Sequence, residues 1–141
     1  MLKGIDPIIS PELIKILMEM GHGDELCIGD GNFPAAAYAK RLVRLDGHGV
    51  CDVLDAVLKL YPLDSYVDCP VTLMQVVPGD NVEPVIWDEY EKIIRAREGD
   101  RTIEHVERFE FYERAKCCYA VVATGESALY ANIILKKGVV K

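Results

Sequence analysis

Apolar residues recur along this chain with two different periods. Leu13, Ile14, Leu17 and Met20 follow helical spacing. Ser10-Pro11-Glu12 ahead of them supplies a capping hydroxyl, a proline at the first helical position and an acid near the positive end of the helix dipole. Gly21 is expected to close this helix in a left-handed conformation. Leu26-Cys27-Ile28 then reads as a short apolar strand, and Gly29-Asp30-Gly31-Asn32-Phe33-Pro34 as a loop. Residues 35–45 point two ways, because the alanines favour helix and Leu42-Val43-Arg44-Leu45 favours strand. An amphipathic helix is expected over Val50–Leu60, ended by Tyr61-Pro62. Val71–Val77 reads as a strand closed by Pro78-Gly79-Asp80. Pro84–Arg97 reads as a helix with Val85, Trp87, Tyr90, Ile93 and Ile94 inward, stopped at Gly99. A strand over Thr102–Val106, a short helix over Phe109–Lys116, a strongly apolar strand over Cys117–Ala123 and a last strand at Ile133-Ile134-Leu135 complete the chain.

Helices alternate with apolar strands along the chain. That pattern predicts an α/β fold, with helices covering both faces of a mixed sheet. At 141 residues, half of them hydrophobic, residues 1–141 read as a single domain with one main core. The formal charge of −7, with basic residues scattered, argues against nucleic acid or an anionic membrane as partner. No apolar run reaches the ~18 residues of a membrane span, and Met1–Pro7 does not resemble a signal peptide. Five cysteines without a C-x-x-C pair are expected to be buried free thiols of a reducing compartment, the cytoplasm.

No phosphate loop, dinucleotide fingerprint, nucleophile elbow or metal-binding histidine spacing is present, so neither cofactor nor metal is expected. Polar residues on loops at element ends remain. His22 sits between two glycines, where an imidazole can exchange a proton near neutral pH or simply bond a nearby carbonyl. Asp30, after the first strand, can accept sugar hydroxyls or cap its own turn. Asp64, beyond Pro62, is a base, a hydroxyl acceptor or a turn aspartate. Arg108 offers a planar fork of donors and Tyr112 a hydroxyl that can relay a proton. The segment also suits an ordinary helix with a Glu110–Arg114 pair. Tyr130 and Asn132, if extended, point the same way and present a ring face with an amide. One imidazole, two carboxylates, a guanidinium, two phenols and an amide suit proton transfer on a neutral, hydroxyl-rich substrate.

Ordered segments of this chain are similar to a known family: Ser10-Pro11-Glu12-Leu13, Met20 to Glu25, Asn32-Phe33-Pro34-Ala35, Pro62 to Tyr66, Arg108 to Ala115, Thr124-Gly125-Glu126, Tyr130-Ala131-Asn132 and Leu135 to Val139. Over Gly4–Val139 the chain resembles the RbsD/FucU sugar mutarotases, and within them the L-fucose branch. The resemblance implies an RbsD-like α/β fold and cofactor-free interconversion of sugar anomers. It implies His22 as proton donor and Asp30, Arg108, Tyr130 and Asn132 as sugar contacts. Catalytic and substrate-contact roles are implied for Asp64 and Tyr112. It also implies decamers of two stacked pentamers, with sites near subunit boundaries. Ala131 stands where relatives have glycine. The residues themselves leave open a D-ribose pyranase, or a sugar-binding transport accessory that performs no chemistry.

Overall fold

The computed structural model describes all residues, Met1–Lys141. Five helices and six strands follow in the order α1 (Pro11–Glu19), β1 (Glu25–Gly29), α2 (Ala35–Tyr38), β2 (Leu42–Leu45), α3 (Val50–Leu58), β3 (Val71–Met74), α4 (Ile86–Glu98), β4 (Ile103–Val106), α5 (Arg108–Cys117), β5 (Ala120–Thr124) and β6 (Ile133–Lys136). The strands form one sheet in the order β2-β5-β1-β6-β3-β4. The β2–β5, β5–β1 and β3–β4 pairs are parallel. β6 runs antiparallel to both its neighbours, β1 and β3. The sheet is therefore mixed, with helices on both faces, as the alternation of elements predicts.

The strand period of two divides the core. Leu26 and Ile28 of β1 face one way, with Leu13, Leu17, Val53, Leu54, Val57, Tyr90 and Ile94 from α1, α3 and α4. Cys27 faces the other way, with Ala35, Phe111, Ala115 and Cys118 from the α2 and α5 side. All of β3 and β5 is buried, which is why neither shows a polar face in sequence. Ser10 caps α1 by accepting the Leu13 N–H at 3.1 Å.

Several expectations need correction. Residues 35–45 hold both elements, the four-residue α2 and then β2. α1 stops at Glu19 with Met20 extended, and the left-handed glycine of that loop is Gly23 (φ 87°), not Gly21. β3 ends at Met74, three residues early, because its partner β4 ends at Val106. Val85 precedes α4 and is exposed, so its side chain is not inward. Cys117 is the last residue of α5 and exposed rather than in a strand, while Cys51 and Cys69 are only partly buried. Gly99 does end α4, at φ 74°.

Candidate functional site

Strand directions bring distant residues to one edge of the sheet. Asp30 follows β1, Arg108 follows β4, and Asn132 precedes the antiparallel β6, so all three emerge at the carboxyl ends of the parallel strands. There they line a cavity of about 200 Å³, with Tyr112 and Tyr130, and with Asn32, Phe33, Met74, Val77, Asp80 and Leu129. In open α/β sheets this edge is where ligands bind. No helix in the protein is long and apolar enough to cross a membrane. No group of three or more His, Cys, Asp or Glu side chains is placed to hold a metal ion.

Each wall of the cavity has a local cause. Gly29 permits the Phe33 ring to fold back, since a Cβ there would lie 2.7 Å from it. Phe33 then packs against Phe111 and Tyr112, with ring centroids 6.0 and 5.9 Å apart. The Glu107 carboxylate caps α5 through the Phe109 and Glu110 amides. One turn apart on that helix, Arg108 Nε donates to the Tyr112 hydroxyl at 3.2 Å. Arg114 pairs with Glu104 and Glu25 instead of with Glu110. Asn132 Oδ1 accepts the Asp30 backbone N–H at 2.8 Å, which fixes the amide's acceptor and leaves its NH₂ as donor. Asp30 is buried, and burial pushes its carboxyl above the ordinary range, against the amide hydrogen bonds of Asn32, Ala131 and Phe33.

Tyr130 is not extended as expected. It sits at φ 57°, the only non-glycine residue in the left-handed region. Its carbonyl accepts the Trp87 indole N–H at 2.9 Å, and the Ala131 carbonyl accepts the buried Tyr90 hydroxyl at 2.7 Å. α4 therefore holds this loop from beneath. The Tyr130 hydroxyl donates to Asp80, whose hydrogen bond raises the phenol's pKa. The sequence reading missed Phe33, Met74, Asp80 and Trp87. Asp80 was hidden because Pro-Gly-Asp is what any turn contains.

His22 and Asp64 lie at the opposite edge. Gly23 N–H donates to Lys137 O and Asp64 N–H to Lys136 O, at 2.8 and 3.0 Å, so both loops fasten to the end of β6. This brings His22 Nε2 to 3.1 Å from Asp64 Oδ1. Asp64 is buried, which by itself would raise its pKa. The Tyr66 amide, then His22, outweigh that and hold the carboxyl below the ordinary range. The imidazole is about half exposed and stands against the Tyr66 ring, 5.4 Å away. β1 runs between the two groups, and its five residues separate them by roughly 16 Å at about 3.3 Å per residue. A larger hollow of about 440 Å³ lies between the end of α4 and β4, and in it Arg95 is already bonded to Asp100.

Comparisons with known proteins bear on the family and the fold. The model of the RbsD / FucU transport protein family matches residues 3–140. An L-fucose mutarotase of Actinobacillus pleuropneumoniae serotype 5b (strain L20) is 51% identical over 140 residues, spanning 99% of this chain and 97% of its own. A crystal structure of the fucose mutarotase from Streptococcus pneumoniae in complex with L-fucose superposes with a TM-score of 0.95 at 53% identity, covering 99% of this chain and 100% of that one. Bacillus subtilis RbsD complexed with D-ribose is more distant, with a TM-score of 0.74 and 25% identity over the whole of both chains.

Proposed function

The chain belongs to the RbsD/FucU transport protein family, and on that premise we propose that it interconverts the α and β anomers of L-fucose by cofactor-free acid–base ring opening and closure. The observation that carries the reading is the convergence of Asp30, Arg108, Tyr112, Tyr130 and Asn132 on one cavity. That set offers fixed donors and acceptors for a polyol and has no nucleophile–base pair. The fucose-bound neighbour at 53% identity, against 25% for the ribose-bound one, favours L-fucose over D-ribose.

Ring opening transfers two protons. The ring oxygen gains one as the C1–O5 bond breaks, the anomeric hydroxyl loses one, and the open aldehyde turns and recloses on its other face. His22 is the acid for the ring oxygen, and Asp64 orients its imidazole through the 3.1 Å contact. Tyr112 takes and returns the anomeric proton, directly or through water. As its oxygen accepts that proton, its own O–H proton passes to a water, and both transfers reverse on closure; Arg108 Nε donates to the same oxygen at 3.2 Å. Asp30, Arg108, Tyr130 and Asn132 hold the remaining hydroxyls.

One chain keeps His22 and the cavity at opposite ends of β1, so the catalytic site joins two subunits. His22 and Asp64 of one subunit meet the Asp30 cavity of the next. Exposed apolar side chains flank both halves: Tyr66 and Val67 beside His22 and Asp64, Phe109 and Leu129 beside the cavity. A contact between unlike faces repeats around a closed ring, which suits the pentameric rings of a decamer. Magnetisation-transfer NMR on L-fucose and D-ribose tests the activity. Accelerated exchange of L-fucose anomers, with little effect on D-ribose ring forms, is expected. Acceleration of D-ribose alone, or of neither sugar, overturns the reading.

A further inference from the structure

We infer that Asp80, which rests on the fucose reading above, is a positioning residue of the sugar site: it takes up the Tyr130 hydroxyl proton and so presents the phenol oxygen to substrate as an acceptor only. Asp80 ends the turn Pro78-Gly79-Asp80, where Gly79 adopts φ 90°. Its Oδ2 accepts the Tyr130 O–H, and the Val77 N–H reaches the same phenol oxygen at 3.4 Å. A phenol carries one proton. With that proton committed to a carboxylate, Tyr130 cannot donate to a sugar and can only receive a hydroxyl's hydrogen.

The neighbouring groups complete a pattern of fixed polarity. The Asn132 carbonyl oxygen is occupied by the Asp30 amide, which leaves its NH₂ to donate. Arg108 also only donates. The cavity thus offers acceptors at Tyr130 and Asp30 and donors at Asn132 and Arg108. A bound sugar hydroxyl therefore turns its O–H toward Tyr130 or Asp30 and its lone pairs toward Asn132 or Arg108.

Asp80 also anchors a strained residue. A tyrosine in the left-handed region persists only where its surroundings fix it. Trp87 holds the backbone carbonyl of Tyr130 and Asp80 holds the hydroxyl, so the residue is fixed at both ends. Asp80 itself is exposed and packs into no core, so a role in folding does not account for its place in the cavity wall.

The test is a double-mutant cycle on Asp80→Ala and Tyr130→Phe, with Asp80→Asn as the conservative variant. KM and kcat for L-fucose anomer exchange and the melting temperature are measured for each. Asp80→Ala is expected to raise KM about 3- to 10-fold, the worth of one neutral hydrogen bond, with kcat unchanged. Asp80→Asn keeps an acceptor oxygen and should recover most of the loss. The double variant should resemble Tyr130→Phe alone, because both changes remove the same bond. An alkaline absorbance titration should show one tyrosine ionising at lower pH in Asp80→Ala, a change absent in the Tyr130→Phe background. Fully additive effects, or an unchanged KM in Asp80→Ala where Tyr130→Phe raises it, overturn the Asp80 assignment and leave the fucose reading standing. A parent protein that neither binds nor interconverts L-fucose overturns both.

Discussion

Single residues divide into those that move protons and those that hold the sugar, and kinetics separates the two. His22→Gln should lower anomer exchange by about 10²–10⁴-fold, the worth of one positioned general acid, with folding intact by circular dichroism. Arg108→Ala and Asn132→Ala should raise KM more than they lower kcat. Their hydrogen bonds go to hydroxyls that do not change bonding as the ring opens. Arg108 should show the larger effect, because charged hydrogen bonds contribute about 1.5–3 kcal/mol and neutral ones about 0.5–1.5. Saturation kinetics on both variants decides this, and an unchanged KM in both would reassign them. Asp64 gives a pH signature. Its folded pKa lies below the unfolded value of about 3.9, so its contribution to stability is present above that value and is lost as pH falls through the folded one. The stability gap between parent and Asp64→Asn should therefore shrink on acidification below about pH 4 in denaturant titrations. Asp30, raised by burial, behaves oppositely: its contribution is lost as pH rises through its folded value.

Elements were legible in sequence where hydrophobic period and caps agreed, as at α1, α3 and the buried strands. They were obscure where a local signal had two outcomes. The Ala35–Leu45 segment holds both outcomes in turn. Cys117 looked like strand because an apolar run follows it, yet α5 continues through it and Cys118 forms its cap. The Glu110–Arg114 spacing was right for a helical pair, but Glu104 and Glu25 from neighbouring strands capture the guanidinium, a tertiary choice that no helix rule contains. The residue types of the site were readable, but their division between two edges was not, because it depends on strand direction. The most consequential element for the cavity is α4, whose Tyr90 secures the 130–132 loop from inside the core. Tyr90→Phe leaves the buried Ala131 carbonyl without its donor, and should cost about 1–3 kcal/mol. Chemical denaturation measures this, and KM should rise in the same variant as Tyr130 and Asn132 loosen. A Tyr90→Phe protein of parental stability would show that the loop does not depend on that bond.

At the scale of the whole molecule, the separation of His22 from the Asp30 cavity by the length of β1 makes assembly part of the chemistry. No shift of side chains closes roughly 16 Å within one chain, whereas a neighbouring subunit can supply the missing half. The measurement that tests this most directly mixes two inactive variants, His22→Gln and Tyr112→Phe, in equal amounts by co-refolding, and follows L-fucose anomer exchange by magnetisation-transfer NMR. Each homogeneous protein should be nearly inactive. In the mixed ring, a site is intact when its imidazole comes from a Tyr112→Phe subunit and its cavity from a His22→Gln subunit. Random assembly of a head-to-tail ring makes about one site in four of this kind, so about a quarter of parental activity should return. Exchange that stays at the level of the separate variants, with mixed oligomers verified by mass spectrometry, would contradict a site shared between subunits.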